Sequence, residues 1–381
     1  MLPYGKQSIT ADDIKKVTDV LKSDFLTQGP VLPEFEKQVS QYCQSDYAVA
    51  VNSATSALHI ACLSIGLSQN DWFWTSPISF VASVNCATYC GAKIDFVDID
   101  PLTYNMSVSK LREKLEKARE NGKLPKIVMP VHLCGQSCNM KEIHKLSKEF
   151  GFKIIEDASH AIGGKYLNAP IGNCRYSDIT VFSFHPVKII TTGEGGMALT
   201  NNEELAAKMS LFRSHGITRD PKMMTHEPDG SWFYQQIDIG FNYRMTDIQA
   251  ALGLGQLERI EENIERRHEI ANNYDSELVN LPIITPYQAE FGYSSYHLYV
   301  IRLKDKQKRN SIFEKLRNKG IGVNIHYIPI YRHPFYSSSF TDYSVFPESE
   351  CYYSQAITLP IFPTMTEENQ EKVISLLKET L

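Results

Sequence analysis

The chain has 381 residues, of which 43% are hydrophobic and 22% are charged, and its formal net charge at pH 7 is -5. Such a chain can bury one large core plus a smaller one, or two similar domains. It contains no run of five or more basic residues. Neither nucleic acid nor an anionic membrane surface is therefore expected as a partner.

The N-terminal segment lacks the basic and apolar regions of a secretory signal, and no apolar run approaches the roughly 18 residues that span a bilayer. We therefore expect a cytoplasmic protein. Two cysteine pairs, Cys86/Cys90 and Cys134/Cys138, have C-x3-C spacing, which is not that of a zinc knuckle. We interpret the cysteines as buried or incidental thiols and predict no metal site.

Short apolar runs alternate with longer amphipathic segments between residues 10 and 213, a pattern typical of strands joined by crossover helices. Helices are predicted to begin at Thr10 and at Pro33. Strands are predicted at residues 47–51, 72–76, 94–97, 127–130, 153–156, 179–184 and 196–200. Helices are predicted between them at residues 54–65, 80–89, 108–118, 140–150 and 203–212. The fold class is therefore α/β, with one mostly parallel seven-stranded sheet between two layers of helices.

A long amphipathic stretch over residues 246–273 predicts a bridge helix that leaves this sheet. After Pro282 and Pro286 the pattern changes to that of a small α+β domain, with helices at residues 307–319 and 367–378. We predict two domains: residues 1–245, and residues 246–381 with the bridge helix and the small C-terminal domain.

Lys188 is the most informative polar residue, because it lies between an apolar strand and the glycine-rich segment 193–196. A lysine partly withdrawn from water loses some preference for its charged form, so its amine can form a Schiff base with an aldehyde cofactor. An ordinary solvated lysine is the alternative.

The turn at residues 52–56 leaves a strand and enters a helix, so its free backbone N–H groups and small hydroxyls can bind a phosphate. An ordinary helix cap explains the same residues. Ser183, five residues before Lys188, could reach the phosphate while the lysine reaches the aldehyde.

Asp157 ends an apolar strand, and a carboxylate at that point can keep a pyridine nitrogen protonated. His160 could donate to a phenolate oxygen, and Phe80 could stack on an aromatic cofactor. The alternatives are a turn cap for Asp157, an interior histidine and a core phenylalanine. Together with Lys188 and the phosphate turn, these residues supply the groups that pyridoxal phosphate needs.

Five segments in chain order resemble the motifs of the DegT/DnrJ/EryC1/StrS nucleotide-sugar aminotransferases: residues 52–58, 156–161, 183–188, 193–196 and 240–245. The resemblance extends over nearly the full length and implies a pyridoxal-phosphate-dependent transferase of fold type I, whose larger domain binds the cofactor. Two departures stand out: many members of the family have glutamine at the position of His160 and a Gly-Thr pair at Ala54-Thr55.

The resemblance implies a role for each matching position. Lys188 is similar to the lysine that binds the cofactor, Asp157 to the partner of the pyridine nitrogen, and His160 to the residue at the phenolic oxygen. The resemblance further implies that Phe80 stacks on the cofactor and that the phosphate is bound by Thr55, Ser56 and Ser183. Asn242 resembles an asparagine that reaches the neighbouring active site across a dimer interface, which implies a homodimer. The residues implied in sugar binding are Tyr4, Asp24, Phe25, Leu26, Thr27, Ala54, His326, Tyr327, Ile328 and Pro329.

Within the family, the segments 26–30, 75–85, 211–216 and 326–331 are similar to enzymes that aminate C4 of a UDP-linked 4-keto-6-deoxy-N-acetyl-L-hexosamine, with L-glutamate as donor. The alternatives are another ketosugar, amination at C3, or a pyridoxamine-phosphate-dependent sugar dehydratase. Because such dehydratases have histidine at the position of Lys188, the lysine argues against that activity. A non-enzymatic ligand-binding regulator and a nicotinamide-dependent oxidoreductase are rivals from other classes. The intact Lys188/Asp157 pair argues against the first, and the missing dinucleotide fingerprint against the second.

Overall fold

The computed structural model describes residues 1–381, and its largest element is a seven-stranded sheet. The strands are β1 (Tyr47–Val51), β2 (Trp72–Thr75), β3 (Lys93–Phe96), β4 (Pro125–Met129), β5 (Lys153–Asp157), β6 (Ile179–Ser183) and β7 (Gly196–Thr200). Their order is β1-β7-β6-β5-β4-β2-β3. Only β7 runs antiparallel to its neighbours, β1 and β6. The mostly parallel sheet predicted from the sequence is thus confirmed, each strand beginning within two residues of its predicted position.

Helices cover both faces of this sheet. They are α1 (Ala11–Leu21), α2 (Val31–Cys43), α3 (Ala54–Ser64), α4 (Ala82–Tyr89), α5 (Val108–Glu120), α6 (Met140–Phe150) and α7 (Glu203–Arg213). Alternation along β1 shows the two layers: Val49 and Val51 pack in one core with α3, whereas Ala50 packs in another with α2. Both faces of the strand are buried, which explains its continuous apolar sequence.

Two predicted helix starts before residue 245 differ from the structure. The second helix begins at Val31, so Pro33 lies inside its first turn, where a missing N–H costs no hydrogen bond. Phe80 lies in the turn before α4, which begins at Ala82.

The predicted single bridge helix is wrong, because the chain forms two helices, α8 (Asp247–Leu257) and α9 (Ile260–Leu278). A capping box between Thr246 and Gln249 starts α8. The break falls at Arg259, whose φ of -112° and ψ of 14° are not helical. No glycine or proline marks this break in the sequence.

The C-terminal part of the chain builds a second core around a three-stranded antiparallel sheet. Its strands are β8 (Ile283–Ile284), β9 (Tyr299–Leu303) and β10 (Ala356–Leu359). Its helices are α10 (Arg309–Asn318), α11 (Pro334–Ser337), α12 (Pro347–Gln355) and α13 (Glu367–Thr380). The first residues of the chain join this core, since Leu2 pairs with Ile321 and the Tyr4 carbonyl accepts from the Ile361 N–H at 3.0 Å. These first residues are thus an exception to the predicted division of the chain into two domains at residue 245. For the rest of the chain, that division stays a prediction.

Short strands complete the structure. Lys165–Tyr166 pairs with Ala169–Pro170 and with Gly292–Tyr293, and Ile217–Thr218 pairs with Gln235–Gln236. None of the helices has the length and apolar character needed to cross a membrane.

Candidate active site

A cavity of about 990 Å³ lies beyond the carboxyl ends of β1, β5 and β6. Eleven of the residues predicted for the site line it: Tyr4, Ala54, Thr55, Ser56, Phe80, Asp157, His160, Ser183, Lys188, His326 and Tyr327. The carboxyl edge of a parallel sheet is where ligands bind in folds of this type. The cavity is therefore the candidate active site.

The turn at the start of α3 lines the cavity, and hydrogen bonds of its own side chains fix its conformation. Ser53 caps the helix, because its hydroxyl oxygen accepts from the Ser56 N–H at 3.1 Å. The Ser56 hydroxyl donates to Asn52 Oδ1 at 2.7 Å. Strand β7 packs closely behind the turn, since a Cβ at Gly196 would lie 2.5 Å from the Ala54 nitrogen. The free N–H groups of this helix start can bind a phosphate.

Asp157 is buried at the end of β5, and hydroxyl groups donate to both of its carboxylate oxygens. Ser83 donates to Oδ2 and Ser159 donates to Oδ1, each at 2.6 Å. Since Ser83 donates to Asp157, the 2.6 Å contact between the hydroxyls of Ser79 and Ser83 has Ser79 as its donor. These hydrogen bonds fix the orientation of the carboxylate, which at this place can face a pyridine nitrogen.

Lys188 is half-buried in the connection between β6 and β7. Burial lowers the pKa of its amine to about 8, while the nearby Asp157 carboxylate raises it. A much larger fraction of this amine is neutral at neutral pH than for an ordinary lysine. The residue therefore has the nucleophilic form that capture of an aldehyde requires.

His160 is buried beside Lys188, and its hydrogen bonds define its tautomer. Its Nδ1 accepts from the Cys134 backbone N–H at 3.3 Å, so the proton lies on Nε2, which contacts the Tyr327 hydroxyl at 3.0 Å. Burial, followed by the charges of Lys188 and His326, holds the pKa of His160 well below its usual value. His160 is thus a neutral hydrogen-bond donor at the cavity wall.

Aromatic rings also line the cavity. Phe80 is 59% exposed, with its ring centroid 6.3 Å from that of Tyr327. His326 is buried, its ring centroid lies 4.9 Å from that of Tyr4, and its Nδ1 contacts the Thr358 hydroxyl at 2.8 Å. Burial, followed by the charge of Lys188, lowers the pKa of His326 to about 3. The ring of Phe80 is therefore free to stack on a planar group.

The structure places seven predicted residues outside the cavity lining: Asp24, Phe25, Leu26, Thr27, Asn242, Ile328 and Pro329. The exposed segment 24–27 lies against the start of α8, where the Asp247 N–H donates to the Leu26 carbonyl at 3.0 Å. Ile328 is exposed and Pro329 is buried just beyond Tyr327. Asn242 is exposed, and its side chain has no hydrogen-bond partner within the chain. Contacts between these residues and a ligand stay a prediction.

Several lining residues were missed by the sequence prediction: Ser79, Ser83, Ser159, His185, Glu194, Gln249 and Asn324. Two hydroxyls only four residues apart, Ser79 and Ser83, were a usable short-range signal where the strand β2 leads into α4. The contact of Ser83 with Asp157 gave no such signal, since 74 residues separate the two in sequence.

The cavity fits pyridoxal phosphate on three independent observations. A helix start with small hydroxyls suits the phosphate, the buried Asp157 carboxylate suits the ring nitrogen, and the Lys188 amine suits the aldehyde. The structure places no group of three or more histidine, cysteine, aspartate or glutamate side chains where they could hold a metal ion.

The chain belongs to the DegT/DnrJ/EryC1/StrS aminotransferase family, which it matches over residues 7–378. It is therefore a pyridoxal-phosphate-dependent sugar aminotransferase with the fold type I architecture, and the predictions of family, fold and cofactor are confirmed.

Three curated relatives are similar over most of their length. The chain is 36% identical over 384 residues to the UDP-4-amino-4,6-dideoxy-N-acetyl-beta-L-altrosamine transaminase of Campylobacter jejuni, covering 100% of this chain and 96% of that one. It is 35% identical over 384 residues to the spore coat polysaccharide biosynthesis protein SpsC of Bacillus subtilis, with 99% and 96% covered. It is 36% identical over 357 residues to the GDP-perosamine synthase of Caulobacter vibrioides, with 93% and 91% covered.

Two solved structures share the fold over the whole chain. One is Helicobacter pylori PseC, an aminotransferase involved in the biosynthesis of pseudoaminic acid, with a TM-score of 0.91, 31% identity, and 100% and 98% covered. The other is the PLP form of the putative sugar aminotransferase Spr1654 of Streptococcus pneumoniae, with a TM-score of 0.89, 29% identity, and 100% and 99% covered.

Proposed function

We propose that this enzyme transfers the amino group of L-glutamate to C4 of a UDP-linked 4-keto-6-deoxy-N-acetyl-L-hexosamine. The product is UDP-4-amino-4,6-dideoxy-N-acetyl-β-L-altrosamine, an intermediate of pseudaminic acid biosynthesis. The observation that carries the chemistry is the Lys188 amine beside the buried Asp157 carboxylate and the phosphate turn in one cavity. The choice of sugar is supported by the 36% identical Campylobacter jejuni transaminase and by the fold of PseC.

In this proposal several residues of the cavity have separate tasks. Pyridoxal phosphate, when bound, supplies the carbonyl that takes up the amino group and a ring that accepts electrons. The turn at Thr55 and Ser56, with Ser183, binds the phosphate, Phe80 stacks on the ring, and Asp157 holds the ring nitrogen protonated. The His160 Nε2–H, which lies 3.0 Å from the Tyr327 hydroxyl, would donate a hydrogen bond to the phenolic oxygen when the cofactor is bound.

Lys188 moves the protons of both half-reactions. Its Nζ takes the α-proton of glutamate in the first half-reaction, and it donates a proton to C4 of the sugar in the second. An amine with a pKa near 8 suits both directions, because the neutral and the protonated form are both populated close to neutral pH.

We further propose a homodimer in which Asn242 reaches the cavity of the neighbouring subunit. Its side chain has no partner within its own chain, and the nearby Ile239 and Trp232 are 76% and 72% exposed. Large exposed apolar side chains of this kind support an interface. The cavity itself offers Lys188 as its one amine and no guanidinium, although glutamate and a sugar diphosphate are both anions. Charged groups of a second subunit would complete such a site.

Another nucleotide-sugar substrate is the main alternative, since the GDP-perosamine synthase and SpsC relatives have nearly the same identity as the altrosamine transaminase. Amination at C3 is a second alternative. The deciding experiment is incubation of the enzyme with glutamate and a panel of UDP- and GDP-linked ketosugars. NMR of each product gives the aminated carbon and its configuration, and a product aminated at C3, or only from GDP-sugars, contradicts the proposal.

The role of Lys188 is tested by Lys188→Arg, which keeps the positive charge but stays protonated and cannot bind the aldehyde. We expect a folded protein without turnover, and no cofactor attached to this peptide after borohydride reduction and mass spectrometry. Asp157→Ala should still bind the cofactor but slow both half-reactions in stopped-flow measurements. Lys208→Arg, on the surface of α7, is the matched control and should have full activity.

A further inference from the structure

Asn52 connects the phosphate turn of its own subunit to the segment that carries Asn242. Its Oδ1 accepts from the Ser56 hydroxyl at 2.7 Å, while its Nδ2 donates to the Asn242 carbonyl at 3.4 Å. Its backbone N–H donates to the Tyr243 carbonyl at 2.8 Å. One side chain thus contacts both the start of α3 and the backbone of Asn242.

The segment 241–244 runs beside the end of β1 and is held by isolated β-bridges on both sides. Val51 pairs with Arg244, and Ser214, just after α7, pairs with Asn242 on the other side. In extended backbone, successive side chains point to opposite faces. The stacked rings of Phe241 and Tyr243, 4.8 Å apart, therefore share one face, and Asn242 projects from the other.

The inward face of this segment is anchored on α3. Buried His59 has its ring centroid 4.9 Å from Phe241, and its Nδ1 contacts the Tyr243 hydroxyl at 3.1 Å. Asn242 has no such anchor, and its side chain is exposed. Its position is therefore set by its backbone, to which Asn52 is hydrogen-bonded.

We propose that Asn52 is a positioning residue that acts on two active sites at once. It orients Ser56 for the phosphate in its own subunit, and it holds the backbone of Asn242, whose side chain serves the cavity of the partner. This inference rests on the proposed homodimer, in which Asn242 serves the neighbouring cavity. A change at Asn52 in one subunit then weakens cofactor binding in the other, although Asn52 itself never reaches it.

Heterodimers with one functional lysine test this coupling. One subunit carries Lys188→Ala with a second change, its partner is unmodified, and the two are separated from homodimers by different affinity tags. Pyridoxal phosphate fixed by borohydride to Lys188, counted by mass spectrometry over a concentration series, reports only on the unmodified subunit. The reference is the heterodimer with Lys188→Ala alone.

Adding Asn52→Ala to the Lys188→Ala subunit should raise the half-saturating concentration of pyridoxal phosphate at the unmodified subunit about 3- to 10-fold, the effect of losing one hydrogen bond. Asn242→Ala in the same position should have an effect at least as large. The exposed Asn318→Ala is the matched control and should have none. If the Asn52→Ala subunit does not assemble, Asn52→Asp keeps the acceptor for Ser56 and removes the donor to Asn242, with the same expected direction.

The Asn52 and Asn242 variants separate the inference about Asn52 from the proposed homodimer. An effect of Asn242→Ala without an effect at Asn52 overturns the inference and leaves the homodimer standing. No effect of Asn242→Ala overturns the reach of Asn242 into the neighbouring site, and the inference with it, while the aminotransferase activity is read separately from product NMR.

Discussion

Ser83 donates a 2.6 Å hydrogen bond to Oδ2 of Asp157, and both side chains are buried. The Ser79 hydroxyl donates to Ser83 in turn, so a relay of two hydroxyls supports the carboxylate. Hydrogen bonds to a charged group contribute more than those between neutral groups. The proposed role of Asp157 as the partner of a protonated ring nitrogen therefore depends on Ser83, a residue of α4.

Ser83→Ala should lower kcat about 10-fold while changing KM for glutamate little, because the carboxylate loses a donor and holds the ring proton less well. Steady-state kinetics in the presence of saturating pyridoxal phosphate measure this. Ser79→Ala is the control, since it leaves the hydrogen bond between Ser83 and Asp157 in place and should cost less. An equal loss in both variants would mean that general packing, not the carboxylate, is affected.

Capture of pyridoxal phosphate by the apoenzyme should accelerate with rising pH around a midpoint near 8. The neutral amine of Lys188 is the nucleophile, and it forms above the pKa, which burial lowers to about 8. An ordinary lysine would still gain rate up to pH ~10. Stopped-flow absorbance from pH 6 to 10 measures the midpoint.

Asp157→Asn tests in which direction the Asp157 carboxylate shifts that midpoint. The Asp157 carboxylate raises the pKa of Lys188, so removing its charge should move the midpoint to lower pH. A midpoint shifted to higher pH would contradict the conclusion that the Asp157 carboxylate raises the pKa of Lys188.

His160 should remain a neutral Nε2–H tautomer between pH 6 and 9. Its Nδ1 accepts from the Cys134 N–H, and burial, with Lys188 and His326, holds its pKa well below the usual value. The ¹⁵N chemical shifts of histidine-labelled protein report both the charge and the tautomer, and the spectrum of His160→Gln assigns the signal. A resonance that titrates near pH 6.5 would show that the ring gains a proton in this range.

Asp13→Ala should lower the free energy of unfolding by about 3 kcal/mol, because it leaves a cation without its buried partner. Asp13 Oδ2 accepts from Arg259 at 2.6 Å and from Gln256 at 2.8 Å, which links α1 to α8 and to the break before α9. Urea unfolding followed by circular dichroism measures the change. The exposed neighbour Asp12→Ala should cost less than about 1 kcal/mol.

The central sheet could be predicted because each strand is a short apolar run bounded by polar turns, as at Tyr47–Val51 and Gly196–Thr200. The carboxyl-edge rule then gathers the residues that follow these strands, including Asp157 and Lys188, around one cavity. The sheet and the residues at its carboxyl edge can be predicted from local periodicity and strand direction alone.

Other features depend on contacts that periodicity does not encode. The break between α8 and α9 at Arg259 follows from packing against α1, where Asp13 holds the Arg259 side chain at 2.6 Å. The resemblance implies that the segment 24–27 binds the substrate, but periodicity does not show that Asp247 accepts from the Gly29 and Val31 N–H groups and so holds the chain just after this segment. The proposed reach of Asn242 into a second subunit could be predicted only from the resemblance to the family, because no side-chain contact of Asn242 within the chain encodes it.

The reversed direction of β7 determines how the lysine segment is built. A parallel strand after β6 would require a crossover that returns the chain to the far end of the sheet. Because Ser183 is instead paired with Gly196, the residues between them form a closed excursion with both ends fixed at one edge. Lys188 thus lies in a loop that is closed at both ends by the pairing of β6 with β7, so the path of its backbone depends mainly on local contacts and little on the order of the other strands.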